Sequence, residues 1–185
     1  MTTFYLVQHA EKQRRLGDPG LTRLGQEQAA TTAQWLARVR LSAVYSSPLR
    51  RALQTAQFIA SASGIQAQRD DRLRERMNWA DGLSIEEFMA DWAASVQDRD
   101  FVPRNGESSR QTGERVRACL EDLSAIPGAV AVVTHGGATV DLLRTLVGDG
   151  AVTDSLLNEG VPSCAITTLD GMSVLDIASL THLTY

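Results

Sequence analysis

The chain has few of the residues that build disulfide frameworks, metal clusters or membrane spans. Only 2 of its 185 residues are cysteine. Cys119 and Cys164 lie far apart and fit neither a disulfide framework nor a metal-ligand spacing. Both are expected to be reduced and buried, as in a cytosolic protein. No apolar run approaches the ~20 residues that cross a bilayer, and no basic-then-apolar leader precedes the first strand-like segment. A cytoplasmic protein without membrane contact is the expectation. No repeat, low-complexity tract or linker interrupts the chain, so one domain over residues 1–185 is expected. A formal net charge of −4 gives no reason to expect nucleic acid as a partner. Histidine is also scarce, with 3 in the chain, which gives weight to where each one falls.

Two short apolar runs each end in a histidine followed by a small residue. The first is Phe4-Tyr5-Leu6-Val7-Gln8-His9-Ala10; the second is Val130-Ala131-Val132-Val133-Thr134-His135-Gly136-Gly137. Such runs read as buried strands feeding loops. In parallel α/β sheets, ligands bind beyond the carboxyl ends of the strands, so both imidazoles are expected at one sheet edge. After the strand at 3–8, a turn at Asp18-Pro19-Gly20 leads to a helix from about Thr22. Its helical spacing picks out Leu24, Gln28, Thr31, Thr32, Trp35, Leu36 and Val39. Ser42–Ser46 reads as a strand, and Pro48 suits the first turn of a helix that Gly64 ends near Ala62. An extended piece, Ile65–Gln68, follows. Ser84 with Glu86 and Glu87 begins a helix through about Ala94, and residues 97–107 read as a loop over the rim of a site. Ser108 or Ser109 caps a helix reaching Ile126, and Ala138–Val147 reads as another. Ser163–Leu169 and Ser173–Ile177 form a closing strand pair around Asp170-Gly171. Strands alternating with helices predict a three-layer α/β/α sandwich on a mostly parallel sheet.

Two imidazoles at one sheet edge could bind metal, move protons or attack as nucleophiles. The neighbouring sequence offers no third His or Cys at a familiar ligand spacing, so no metal is expected. Arg50 and Arg51 point instead to an anion. They stand at the start of the helix after the second strand, where guanidinium groups and free helix N–H groups together suit phosphate.

At this point the residues resemble a known group. LVQHAE at 6–11, LTRLGQEQA at 21–29, SSPLRRALQTA at 46–56, LRE at 73–75, NGES at 105–108 and THGG at 134–137 are similar, in order, to the histidine phosphatase superfamily, which includes cofactor-dependent phosphoglycerate mutases. The resemblance implies the same α/β/α fold. It implies His9 as the nucleophile that takes the phosphoryl group, and Arg51 as the clamp on the phosphate oxygens, with Arg50 solvated. His135 would be the second imidazole of the pocket, protonated when phosphate is bound. Glu75 would be the proton donor to the leaving oxygen and then the base for water, with Asp81 and Glu107 as nearby alternatives; Glu107 is expected rather to assist the helix start at Ser108. No cofactor is implied. The implied activity is hydrolysis of a small phosphomonoester, since the mutases of the group are longer; a phosphohistidine phosphatase is a variant of this reading.

One position departs from the pattern. The resemblance expects arginine before the nucleophilic histidine, holding the same phosphate, and the chain has Gln8. Glutamine keeps an amide donor but no charge and no bidentate fork. Either the protein is a weakened phosphate binder or regulatory module, or another cation fills the gap. Lys12, Arg14 and Arg15 follow His9 closely, and Arg15 is the favoured substitute, with Arg14 beside it. Trp79 could line an apolar wall, whereas Trp92 is expected to pack into the core and His182 to lie on the surface. Substrate specificity is expected to reside in residues 77–107.

Overall fold

Each histidine-ending run is a strand, and the two strands are neighbours. The computed structural model of the chain describes residues 1–80 and 82–183. Its strands are β1 (Thr2–Gln8), β2 (Leu41–Ser46), β3 (Ala67–Arg69), β4 (Gly128–Thr134), β5 (Ile166–Asp170) and β6 (Ser173–Ser179). They form a 6-stranded sheet in the order β3-β2-β4-β1-β5-β6. The strands β3, β2, β4 and β1 run parallel, whereas β5 is antiparallel to β1 and β6 to β5. The sheet is therefore mostly parallel, with an antiparallel edge. Gln8 stands opposite Thr134, so the following residues, His9 and His135, leave the sheet side by side.

The central strands are apolar at consecutive positions because both of their faces are covered. Phe4, Leu6, Val130 and Val132 pack with Val116, Leu120 and Leu142, from α4 (Ser109–Leu123) and α5 (Gly136–Val147). Their sequence neighbours Val7, Ala131 and Val133 face the other way. They pack with Leu36, Ala52, Ala56 and Ile59, from α1 (Arg23–Leu36) and α2 (Arg50–Ser63). This period-two alternation puts two helices on each face and gives the expected three layers. The remaining helices are α3 (Ile85–Gln97) and the short α6 (Asp154–Glu159). No described helix is long and apolar enough to cross a membrane.

Helix ends follow the capping residues. Ser84 and Ser108 each accept from the N–H three residues on, and Glu87 and Gln111 return the bond in capping boxes. Gly64 ends α2 in the left-handed region, at φ +69°. Several expectations need correction. Thr32 and Leu36 are buried as expected, but Leu24 is 50% exposed, and Gly25, Ala29 and Ala33 complete the buried face of α1. The reason is a stripe of small residues four apart, because α1 passes so near the loop after β1 that a Cβ at position 25 would come within 2.1 Å of the Glu11 carbonyl oxygen. The Ser108 helix stops at Leu123 rather than Ile126, α5 starts at Gly136 rather than Ala138, and the strand expected from Ser163 starts at Ile166. Cys119 and Cys164 are free and buried, as expected.

Candidate active site

The carboxyl ends of β1 and β4 open into a cavity of about 410 Å³ whose lining includes Gln8, His9, Arg51, Glu75, Gly136 and Gly137. His9 is 7% exposed, and its backbone N–H donates to the Thr134 carbonyl at 3.1 Å. The loop beyond it is tied to α2 through the Ala10 N–H, which donates to Thr55 Oγ1 at 3.0 Å. The LTRLGQEQA stretch holds the same loop. Thr22 Oγ1 donates to Glu11 Oε1 at 2.7 Å, and Gln28 Oε1 accepts from the Glu11 N–H at 3.0 Å. Gln28 therefore secures the loop after His9 and is not part of an apolar helix face.

The His9 ring is fixed in one tautomer. Its Nδ1 lies 2.8 Å from the Ala10 carbonyl oxygen, which can only accept, so the proton sits on Nδ1 and the lone pair on Nε2. That Nε2 accepts from Arg51 Nε at 3.2 Å and from the Gln8 amide at 3.3 Å. Burial, then the Arg51 charge, push the imidazole pKa down to about 3 against the pull of the Ala10 carbonyl. His9 is therefore neutral at physiological pH.

Arg51, in the first turn of α2, is 4% exposed. Its Nη2 donates to Asn78 Oδ1 at 3.0 Å, and its Nη1 lies 3.7 Å from Asp18 Oδ1. Asp18 also accepts the Arg50 N–H, while Arg50 itself is exposed, as expected. His135 is fully buried with its ring centroid 5.2 Å from that of His9, and its Nε2 contacts Ser47 Oγ at 2.7 Å. Its Nδ1 has no hydrogen-bond partner among the described residues. Burial, then Arg51 and His9, hold its pKa well below the ordinary imidazole value, so it is neutral in the unliganded site. The sequence marks Asp18 as a turn residue and Ser47 as part of SSPLRRALQTA, without a site role for either, and gives no signal for Asn78.

Glu75 follows a 3₁₀ turn that the end of β4 braces, with Thr134 Oγ1 donating to the Leu73 carbonyl at 2.8 Å. Its carboxylate accepts from the N–H groups of Gly137 at 3.1 Å, Ala138 at 3.0 Å and Arg76 at 2.8 Å. The first two belong to the N-terminal turn of α5, where free N–H groups and the helix dipole favour an anion. Gly137 leaves the necessary room, because a Cβ there would lie 2.5 Å from Glu75 Oε1. Behind it, the buried Arg76 Nη1 donates to both Asp141 oxygens, at 2.9 and 3.0 Å. Glu107 is committed elsewhere, to Arg74 and Arg115, and Gln111 rather than Glu107 completes the helix cap. Asp81 lies outside the described residues.

Lys12, Arg14 and Arg15 all line the cavity, and among the described residues none of the three side chains has an ion-pair partner. Burial and the nearby Arg51 and Arg14 charges lower the Lys12 pKa. The other wall is apolar, with Trp79, Ile85, Phe88 and Trp92. Trp92 is therefore a cavity residue and not a core one; the Arg76 guanidinium beneath its ring, 4.3 Å from the centroid, holds it there. Residues 97–107 do not form the rim. They brace it from behind: Arg104 binds Asp91 of α3, and the Asn105 amide donates to the Asn78 carbonyl. His182 is half-buried rather than on the surface, with Nε2 3.1 Å from Thr32 Oγ1 and its ring 5.7 Å from that of Trp35.

The chain is similar to proteins of one group. A family model described as the histidine phosphatase superfamily (branch 1) matches residues 4–173. A protein of Serratia proteamaculans named probable phosphoglycerate mutase GpmB is 31% identical over 187 residues, covering 92% of this chain and 85% of that protein. The structure of mycobacterial glucosyl-3-phosphoglycerate phosphatase with inorganic phosphate superimposes with a TM-score of 0.79 at 25% identity, covering 99% of each chain. At 24% identity, Entamoeba histolytica phosphoserine phosphatase in complex with 3-phosphoglyceric acid shares the fold, with a TM-score of 0.76 over 100% of both chains.

Proposed function

The chain belongs to the histidine phosphatase superfamily (branch 1), and from that premise we propose that it hydrolyses small phosphomonoesters through a phosphohistidine on His9. The observation that carries this reading is the His9 Nε2 lone pair, directed by the Ala10 carbonyl and met by Arg51 Nε at 3.2 Å. In the first step Nε2 attacks phosphorus, an N–P bond forms and the ester P–O bond breaks. The departing alkoxide takes a proton from Glu75 in its carboxylic acid form, the minority form where three N–H donors favour the carboxylate. In the second step water attacks the phosphohistidine while Glu75 takes the water proton, releasing phosphate and neutral His9. Arg51, with His135 protonated beside the bound phosphate, neutralises the charge spread over the transferring group. Among the described residues no cluster of three or more His, Cys, Asp or Glu is arranged to hold a metal. The residues named here supply the cations and the proton transfers of both steps.

Gln8 takes the place where the family resemblance expects an arginine. Its amide approaches His9 Nε2, and its Oε1 is buried without a donor among the described residues. The unpaired cations Lys12, Arg14 and Arg15 support the view that charge missing at position 8 is supplied from the loop after β1, with Arg15 the favoured donor. A second reading rests on the same Gln8: a phosphate-binding module with little turnover.

Incubation with p-nitrophenyl phosphate separates the two. Phosphate release that disappears in His9→Ala supports the enzyme. Phosphate binding without release supports the module. Interconversion of 2- and 3-phosphoglycerate faster than phosphate release would replace hydrolysis by a mutase reaction.

A further inference from the structure

Helix α3 is built the wrong way round for a helix that packs on a core. Of its thirteen residues, IEEFMADWAASVQ, the buried ones are Asp91 and Ser95. Asp91 is held by Arg104, whose Nη2 donates to Asp91 Oδ1 at 2.8 Å, and Ser95 Oγ donates to the Trp92 carbonyl at 2.8 Å. None of its large apolar residues is fully buried: Phe88 and Trp92 are half-buried, and two are open. Ile85 is 42% exposed and Met89 53%. Ile85, Phe88 and Trp92 are spaced three and four apart, hence on one helix face, and all three line the cavity that holds His9.

The apolar wall continues beyond α3. Trp79 lines the same cavity with its Nε1 tied to the Leu83 carbonyl at 3.0 Å, and Met77 lies beside it. Phe88 and Trp92 face each other with centroids 6.3 Å apart and an interplanar angle of 33°. The chain holds 4 Phe, 3 Trp and 3 Tyr, and three of these rings (Trp79, Phe88, Trp92) line this cavity. A volume of about 410 Å³ exceeds what a phosphate group fills and lies in the range that encloses ligands of drug size. Apolar surface left facing a polar catalytic cavity is a cost that a matching ligand removes.

We propose that the Ile85–Phe88–Trp92 face of α3, with Trp79, is the subsite for the alcohol portion of the substrate, and that it selects phosphomonoesters of apolar, ring-bearing alcohols. This rests on the phosphatase reading above and adds the class of leaving group. The ring lies against the indoles while the phosphate reaches His9 and Arg51, so affinity for the ring adds to affinity for the phosphate.

One pair of esters tests turnover, matched as primary alcohols so that leaving-group reactivity does not decide the result, and one pair of phosphonates tests binding. The expected kcat/KM for 2-phenylethyl phosphate exceeds that for propyl phosphate by roughly tenfold or more, as burial of a phenyl ring requires. Phe88→Ala and Trp79→Ala, each checked for a cooperative unfolding transition, bring the ratio to within about threefold of unity. A wild-type ratio near one, or a ratio unchanged in both variants, overturns the subsite. The same comparison by calorimetry uses the non-hydrolysable 3-phenylpropylphosphonate and propylphosphonate. A failure of the phosphatase reading appears as no His9-dependent turnover of either ester. The subsite is then decided by the phosphonate Kd ratio, with roughly tenfold supporting it and unity overturning it.

Discussion

Gln8→Arg places a cation beside His9, the proposed nucleophile, and the site sets the size of its effect. The Gln8 amide lies 3.3 Å from His9 Nε2, and the residue is 8% exposed. A fixed donor aimed at the transferring phosphoryl group in such a position is worth about 3–4 kcal/mol. The glutamine amide already supplies a neutral hydrogen bond worth about 1 kcal/mol. The net gain is about 2–3 kcal/mol, or roughly 30- to 150-fold in kcat/KM. The adjoining cavity of about 410 Å³ gives the longer side chain room. The assay is kcat/KM for p-nitrophenyl phosphate at fixed salt, in the wild-type and Arg15→Ala backgrounds. If Arg15 compensates for Gln8, Arg15→Ala alone lowers kcat/KM, and Gln8→Arg gains more in that background than in wild type. No gain, or a loss, in a folded Gln8→Arg variant that still shows His9-dependent turnover refutes the reasoning. An unchanged Arg15→Ala, together with an unchanged Arg14→Ala, refutes the compensation.

Further outcomes are expected elsewhere in the site. In single-turnover kinetics Glu75→Gln slows release of the alcohol from alkyl phosphates by roughly 10²–10⁴-fold and slows the burst of p-nitrophenol, which leaves without a proton, much less; equal slowing of both would remove Glu75 from the acid role. Asp141→Asn leaves the buried Arg76 without its counter-charge and costs about 3 kcal/mol in urea unfolding; a loss below about 1 kcal/mol would show that the pair does not anchor the Glu75 segment. Stability also falls with acid. His9, with its pKa near 3, and His135, held well below 6.5, refuse protons that the unfolded chain accepts below about pH 6.5. Together they cost about 3 kcal/mol between pH 6.5 and 5. Asp141, raised to about 6 by burial, takes up a proton in the folded state and offsets about 1 kcal/mol. The net loss is about 2 kcal/mol, and a flat urea-unfolding profile over that window would contradict the burial of two neutral imidazoles.

Much of this arrangement is legible in the sequence because local rules and the global fold agree. Apolar runs closed by small residues become the central strands β1 and β4, and the parallel register between them places His9 beside His135. Ser84, Ser108 and Gly64 mark helix ends through their own backbone bonding. The misses come from close approach between distant segments. The buried face of α1 keeps Thr32 and Leu36 but takes in Gly25 in place of Leu24, because Gly25 meets the Glu11 backbone. The glycines after His135 read as a turn before a helix, yet they are its first residues; Gly137 is small to admit the Glu75 carboxylate. Trp92 reads as core until its face of α3 is seen to open on the cavity. Asn78, partner of Arg51, sits in a charged stretch where one amide carries no pattern at all.

The central claim is that His9 carries the phosphoryl group. Enzyme mixed with a phosphomonoester and quenched in alkali, where phosphohistidine survives, is expected by intact and peptide mass spectrometry to bear one phosphoryl group on the His9 peptide. With p-nitrophenyl phosphate as the ester, that adduct should vanish in His9→Ala and accumulate in Glu75→Gln, which releases p-nitrophenol but cannot activate the water. A phosphoenzyme that persists in His9→Ala, or steady phosphate release with no phosphoenzyme at any quench time, would contradict the account.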